Sequence, residues 1–273
     1  MNARAGNRTK RLAAWRFDPR ATAHAVASLV IGAAAVTAAL FKAAVSLPQL
    51  VLVLLLAGAM AALSACTFAP EPLVRASARL LVRFCYRLRT EGLENIPKTG
   101  PAVIVCNHVS FADAVVIMAA CRRPVRFVMD QSIYVLPVLK SLLTAARVIP
   151  IAPAHKNPRL TRQALDEVAQ ALRSGEIVAI FPEGRLTETG EPSPFRPGVK
   201  RILERTPVPV VPMAVRGLWG SFFSRKYGKP MTRPFRRGMF ATIGLAAGAP
   251  IAPQAASLDT LQQAVLDLRG DWK

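Results

Sequence analysis

The first seventy residues are dominated by two apolar stretches. Residues 21–41 are apolar apart from Thr22, His24, Ser28 and Thr37, and residues 45–69 repeat the pattern after a linker carrying one charge, Lys42. Each stretch is long enough to cross about 30 Å of hydrocarbon as a helix. The pattern predicts a basic tail over 1–20, a two-helix membrane hairpin over 21–69, and a larger domain over 70–273. A cleaved leader is the other reading of the first stretch, but its length and the second stretch behind it fit a hairpin better. The alanine content leaves a re-entrant hairpin open beside a fully spanning one.

From Pro72 to Arg89 the period shortens to that of an amphipathic helix. Leu73, Leu81, Phe84 and Leu88 fall on one side, while Arg75, Arg79, Arg83 and Arg87 recur every four residues on another. Such a helix either lies in a headgroup layer with its arginines on lipid phosphates, or covers a soluble core with a solvated basic face. Beyond Gly92 short β-branched runs alternate with helical segments. Strands are expected over 102–106, 125–129, 148–151, 177–181 and 208–215, and the clearest helix over 159–173, with Gly175 as its stop. The alternation predicts an α/β fold: a central, mostly parallel sheet flanked by helices and buried on both faces.

Charge narrows the choice of partner. Lys and Arg number 36 against 16 Asp and Glu, a formal charge of +20, which calls for an anionic surface. Arg4, Arg8, Lys10, Arg11, Arg16 and Arg20 precede the first apolar stretch, and Arg75, Arg79, Arg83, Arg87 and Arg89 follow the second. Basic flanks of this kind stay in the cytoplasm, so a cell inner membrane is expected, with the domain facing the cytoplasm. Membrane phospholipid is the expected partner and nucleic acid is not, since no docking motif accompanies the charge. The cysteines, Cys66, Cys85, Cys106 and Cys121, show no metal-ligand spacing and read as buried thiols of a reducing compartment, so no metal is expected.

Two clusters carry candidate chemistry. The strand 102–106 runs into Asn107, His108, Val109, Ser110, Phe111, Ala112 and Asp113. Residues five apart are about 140° out of phase on a helix, so His108 and Asp113 meet only if His108 precedes a helix starting near Ser110. That places a histidine base against a carboxylate that fixes its tautomer. The second cluster, Phe181-Pro182-Glu183-Gly184-Arg185, follows the strand 177–181. A glycine that admits a ligand to the backbone and a guanidinium fork suit a phosphate; a surface turn with a salt-bridged glutamate is the plainer reading. No Gly-x-Ser-x-Gly elbow occurs, which disfavours a serine-nucleophile lipase.

The order NHVSFAD, FPEGR, VPVVPMAV resembles the glycerolipid acyltransferase family that includes 1-acylglycerol-3-phosphate acyltransferases. The resemblance covers roughly residues 80–250. It implies an O-acyltransferase of phospholipid biosynthesis whose catalytic pair is His108 and Asp113. Its phosphate-binding block falls on Phe181, Pro182, Glu183 and Gly184, with Arg185 where a hydroxyl residue is usual. The FRPG element adds Arg196 beside Phe195 and Gly198.

Phosphatidate-forming members carry an arginine at the end of the strand that here reads Arg147-Val148-Ile149-Pro150-Ile151. In this chain Arg147 stands at the opposite end and is the candidate to compensate. FPEGR and Ile-Pro-Ile are also similar to the acyltransferase segments of 2-acylglycerophosphoethanolamine acyltransferases. The resemblance implies no cofactor: acyl-CoA or acyl carrier protein is co-substrate and a lysophospholipid is acceptor. Direct attack on the thioester is expected, with charge stabilised by backbone N–H groups near the helix start. Arg225, Lys226, Lys229, Arg233, Arg236 and Arg237, mixed with Trp219, Phe222, Phe223 and Tyr227, suit either an acidic donor or a membrane interface. A hydrolase using the same histidine and a non-catalytic membrane-binding protein are the competing classes.

Overall fold

The computed structural model describes residues 71–134, 137–228, 230 and 241–272. The expected tail and hairpin, Cys66, Lys229, Arg233, Arg236 and Arg237 lie outside them. Among the described residues no helix is long and apolar enough to cross a membrane.

The chain opens with α1 (Glu71–Cys85) and passes directly into strand β1 (Tyr86–Glu91). Then follow β2 (Ala102–Cys106), α2 (Asp113–Ala120), β3 (Val125–Asp130), the short α3 (Gln131–Tyr134), α4 (Pro137–Ala145) and β4 (Ile149–Ile151). The second half adds α5 (Pro158–Arg173), β5 (Ile177–Ile180), α6 (Gly198–Arg205), β6 (Val210–Arg216), β7 (Ala241–Ala247) and α7 (Leu258–Arg269). The strands form one sheet in the order β1-β7-β6-β2-β5-β3-β4. Every neighbouring pair is parallel except β6 with β7, so the expectation of a mostly parallel sheet holds.

Side-chain alternation explains the layers. Val103 and Val105 of β2 with Val178 and Ile180 of β5 face a core filled by Ala164, Val168 and Leu172 of α5, Val199, Ile202 and Leu203 of α6, and Leu261 and Val265 of α7. The intervening Ile104 and Ala179 are buried as well. Strands buried on both faces read as continuous apolar runs, which is why β2, β5 and β6 were legible. At the start of α5, Pro158 follows Asn157, whose side chain accepts from Leu160 N at 3.0 Å.

Three expectations are corrected. The helix expected over 72–89 ends at Cys85, and Tyr86–Glu91 is an edge strand on β7. Strand geometry puts Arg87 and Arg89 on one side in water, a charged edge of the kind that discourages further pairing. Arg75 and Arg79 are tied to the neighbouring helix: Arg75, half-buried, donates from Nη2 to the carbonyls of Cys121 (2.8 Å) and Arg122 (2.7 Å), and the exposed Arg79 donates from Nε to that of Ala119 (3.3 Å). Two guanidiniums thus satisfy carbonyls at the negative end of α2. The helix after His108 begins at Asp113 rather than near Ser110, because Ser110 O accepts from Asp113 N (3.1 Å) and closes an intervening turn. Gly92, at φ 67°, joins β1 to the body where a Cβ would lie 2.1 Å from Ala247 O. Only glycine fits there.

Candidate active site

In a parallel sheet, loops leaving the carboxyl ends of adjacent strands converge. Here β2 ends at Cys106 and its neighbour β5 at Ile180, so His108 and Phe181 emerge side by side with their rings stacked, 4.1 Å between centroids and 15° between planes. Asn107 fixes the exit of β2. Its buried amide donates to Val215 O (3.0 Å) and accepts from Val215 N (2.8 Å), continuing the pairing with β6 by a side chain while the backbone turns away.

The turn winds around one oxygen. Asp113 Oδ2 accepts from His108 Nδ1 at 2.9 Å, from Val109 N at 2.8 Å and from Ser110 N at 2.9 Å. The structure therefore brings His108 and Asp113 together, with Asp113 fully buried and the His108 side chain 16% exposed. With the carboxylate as acceptor Nδ1 carries the proton, which leaves the lone pair on Nε2 for a substrate. Burial pushes the Asp113 carboxyl above its ordinary range, against the opposing pull of His108 and of the backbone donors.

Glu183 is not an exposed phosphate contact, and the salt-bridged surface turn is not what forms either. Its carboxylate points inward and is 1% exposed: Oε1 accepts from His108 N at 2.8 Å and Oε2 from Ser193 N at 2.7 Å. Thr187 N donates to His108 O at 2.9 Å, so the second motif and the residues just after it hold the histidine backbone at both its N–H and its C=O. Gly184, at φ 66°, turns the chain so that Arg185 is exposed, and a Cβ there would lie 3.2 Å from Arg196 Cδ. The Arg196 side chain thus lies across Gly184, and the two exposed arginines bracket this turn beside His108. Arg147 is elsewhere. It precedes β4 at the amino end of the strands, at φ 55°, and binds Glu176 at 2.7 Å.

The N–H groups of Val109 through Asp113 already have acceptors, which leaves those of the first helical turn, Ala114 and Val115, as the backbone donors near the helix start. Val109 and Ser110 serve Asp113, Phe111 N donates to Phe223 O (3.2 Å), Ala112 N to Ser110 Oγ (3.2 Å) and Asp113 N to Ser110 O. Sequence reasoning gave Asn107 no role and did not bring the loop over 217–228 to the catalytic turn, on which it rests through Ser110 Oγ and Ser221 Oγ (3.2 Å). No spacing signal links those positions. Cys106 and Cys121 are buried thiols, as expected, with burial pushing Cys121 up to about 12; Cys85 is partly exposed. Among the described residues no cluster suited to a metal occurs.

A histidine base, its carboxylate partner and two exposed guanidiniums stand together at the carboxyl end of the sheet, an arrangement suited to group transfer. The Acyltransferase family profile matches residues 87–216, just under half of the chain and a stretch holding all of these groups. It is similar to the chloroplast 1-acyl-sn-glycerol-3-phosphate acyltransferase of Brassica napus, 32% identical over 48% of this chain and 38% of that protein. The probable 1-acyl-sn-glycerol-3-phosphate acyltransferase of Mycoplasma genitalium is 30% identical over 48% of this chain and 49% of that one. The chain thus spans half or less of the length of these curated relatives. The fold is shared with the crystal structure of the 1-acyl-sn-glycerophosphate acyltransferase PlsC from Thermotoga maritima, at a TM-score of 0.57 and 20% identity, covering 74% of this chain and 81% of that one.

The geometry makes Glu183→Gln informative. One acceptor oxygen becomes an NH2 group facing a backbone N–H, so the variant should lose about 1 to 3 kcal/mol of stability, read as a lower Tm. Burial pushes the Glu183 carboxyl up, so the folded chain holds its proton more tightly than the unfolded chain. That contribution is full below the ordinary carboxylate range and is lost as pH rises through the raised value. The fall of Tm with rising pH should be shallower in Glu183→Gln; an unchanged slope would refute the inward, buried carboxylate.

Proposed function

We propose that the chain transfers a fatty acyl group from acyl-CoA or acyl carrier protein to the free hydroxyl of 1-acylglycerol-3-phosphate, giving phosphatidate. The observation that carries this reading is the Nδ1 to Oδ2 contact of His108 and Asp113, which leaves Nε2 as a base at the mouth of the site. Nε2 takes the hydroxyl proton as that oxygen attacks the thioester carbonyl. The tetrahedral intermediate collapses, the C–S bond breaks, and the imidazolium returns its proton to the departing thiolate. Asp113 stabilises the imidazolium between these steps. With the N–H groups from His108 through Asp113 engaged, the exposed Arg185 and Arg196 guanidiniums are the donors for the acceptor phosphate.

The reading extends to the inner membrane surface, with the site facing the cytoplasm. Val74, Ala78 and Val82 of α1 are buried, whereas Leu73, Leu80, Leu81 and Phe84 on its other side are exposed, Phe84 by 62%. β1 is parallel to β7 and antiparallel to β6 and β2, so the α1 end carrying Leu80, Leu81 and Phe84 lies at the end of the sheet that holds His108. Exposed Phe222 and Tyr227 follow β6 at that same end. An apolar rim set among Arg83, Arg87 and Lys226 suits the interface of an anionic bilayer, where the acceptor resides. Arg147 lies away from the site, which favours one second reading, a lysophospholipid such as 2-acylglycerophosphoethanolamine as acceptor.

The test is acyl transfer by the purified full chain from labelled acyl-CoA and acyl carrier protein, offered lysophosphatidate and lysophosphatidylethanolamine in parallel. His108→Ala should lower turnover by about 10² to 10⁴ with little change in Tm. Arg185→Ala should cost about 1.5 to 3 kcal/mol, read chiefly as a higher acceptor KM. Product from lysophosphatidylethanolamine alone would move the acceptor to the second reading. Free fatty acid released without acceptor would mean a hydrolase, and no His108-dependent product would end the enzyme reading. Separately, Phe84→Trp in the full chain bound to brominated phosphatidylglycerol vesicles should add quenchable indole fluorescence over the parent; none added would remove α1 from the interface.

A further inference from the structure

The segment from Gly184 to Pro197 carries both arginines assigned to the acceptor phosphate, and its path is set by ties on two sides. Toward the histidine, Thr187 N reaches His108 O and Ser193 N reaches Glu183 Oε2. Within the segment, Thr187 Oγ1 donates to Glu191 O at 2.5 Å and accepts from Gly190 N at 3.1 Å. From outside, α7 grips it twice. Gln262 Oε1 accepts from Phe195 N at 3.0 Å, and Arg269 donates from Nη1 to Gly190 O at 3.1 Å and from Nη2 to Glu191 Oε2 at 2.6 Å.

Arg269 is in an uncommon setting. It is 9% exposed and its Nε is buried without a partner among the described residues. Arginines are seldom buried unless paired, and burying one costs free energy that partner groups must offset. An arginine in the last turn of a helix would ordinarily serve that helix's own final carbonyls. Here Arg216 Nε, from β6, takes the Leu268 carbonyl at 2.7 Å, and Arg269 reaches across to the arginine-bearing segment. α7 lies beyond the residues matched by the family profile, which end at 216.

We propose that Arg269, supported by Gln262, is a positioning residue for the acceptor phosphate. It holds the backbone at Gly190 and Glu191, and with it the turn that presents Arg185 and Arg196 beside His108. The assignment rests on the acyl-transfer reading. It differs from a plain tie between helix and sheet in predicting a selective effect on the phosphate-bearing substrate.

The experiment measures KM for lysophosphatidate and for acyl-CoA, with Tm, in the full chain and in Arg269→Ala, Arg269→Lys and Gln262→Ala. In parallel, calorimetry reads the binding of glycerol 3-phosphate, which needs no turnover. Arg269→Ala should raise the lysophosphatidate KM and weaken glycerol 3-phosphate about tenfold, the worth of one charged hydrogen bond, and leave the acyl-CoA KM unchanged. Gln262→Ala and Arg269→Lys should fall between parent and Arg269→Ala, which keeps the test alive if the alanine variant unfolds. Adding Arg185→Ala to Arg269→Ala should cost less than the sum of the two. A lower Tm with unchanged acceptor KM and phosphate affinity, or equal rises in both KM values, would overturn the proposal. Phosphate binding that depends on Arg269 in a chain that transfers no acyl group would sink the acyl-transfer reading and leave the positioning role standing.

Discussion

Three donors meeting on Asp113 Oδ2 are the constraint on which the site depends. A fully buried carboxylate is costly unless its charge is met, and here the imidazole and two backbone N–H groups meet it. The same arrangement selects the histidine tautomer, shapes the turn between β2 and α2, and delays the helix to Asp113. Glu183 repeats the device from the next strand, by taking the His108 and Ser193 N–H groups onto a second buried carboxylate. Two like charges at close quarters are held apart by the backbone each one organises. Burial pushes both upward, and backbone donors oppose that in both cases.

The sheet around them places these loops instead of merely supporting them. β2 lies between β5 and β6, so the two motif loops, far apart in sequence, leave adjacent strands at the same end. Stacking of Phe181 on His108 follows directly from that adjacency. The reversal at β7 has its own effect: it turns β1 around, which brings the end of α1 to the level of the site.

Much of this was legible in the sequence, for identifiable reasons. Strands buried on both faces announce themselves as β-branched apolar runs; helical phase said only that His108 must precede the helix to meet Asp113, and the family resemblance supplied the pair. β1 was not legible because Arg87 and Arg89 continued the four-residue spacing of the helix before it. β7 escaped because alanine and glycine, in Ala241–Ala247, carry little strand signal. Glu183 and Arg147 were misplaced for a common reason: charge says that a side chain seeks a partner, not on which side of the backbone the partner waits. Asn107, Gln262 and Arg269 act through contacts more than sixty residues away in sequence, a range that no local pattern encodes.

The Asn107 amide is pinned to β6 and the Asp113 carboxylate lies at the floor of the turn, with an acceptor for each N–H from His108 through Asp113. The stretch between them has no slack. Insertion or deletion of a single residue would strand several donors at once, so its length is fixed more firmly than its composition. Variation in what such a site accepts has to enter through the segments that close on it from outside, 184–197 and 217–228. The core of the site is a ring of constant circumference, and the choice of substrate belongs to its rim.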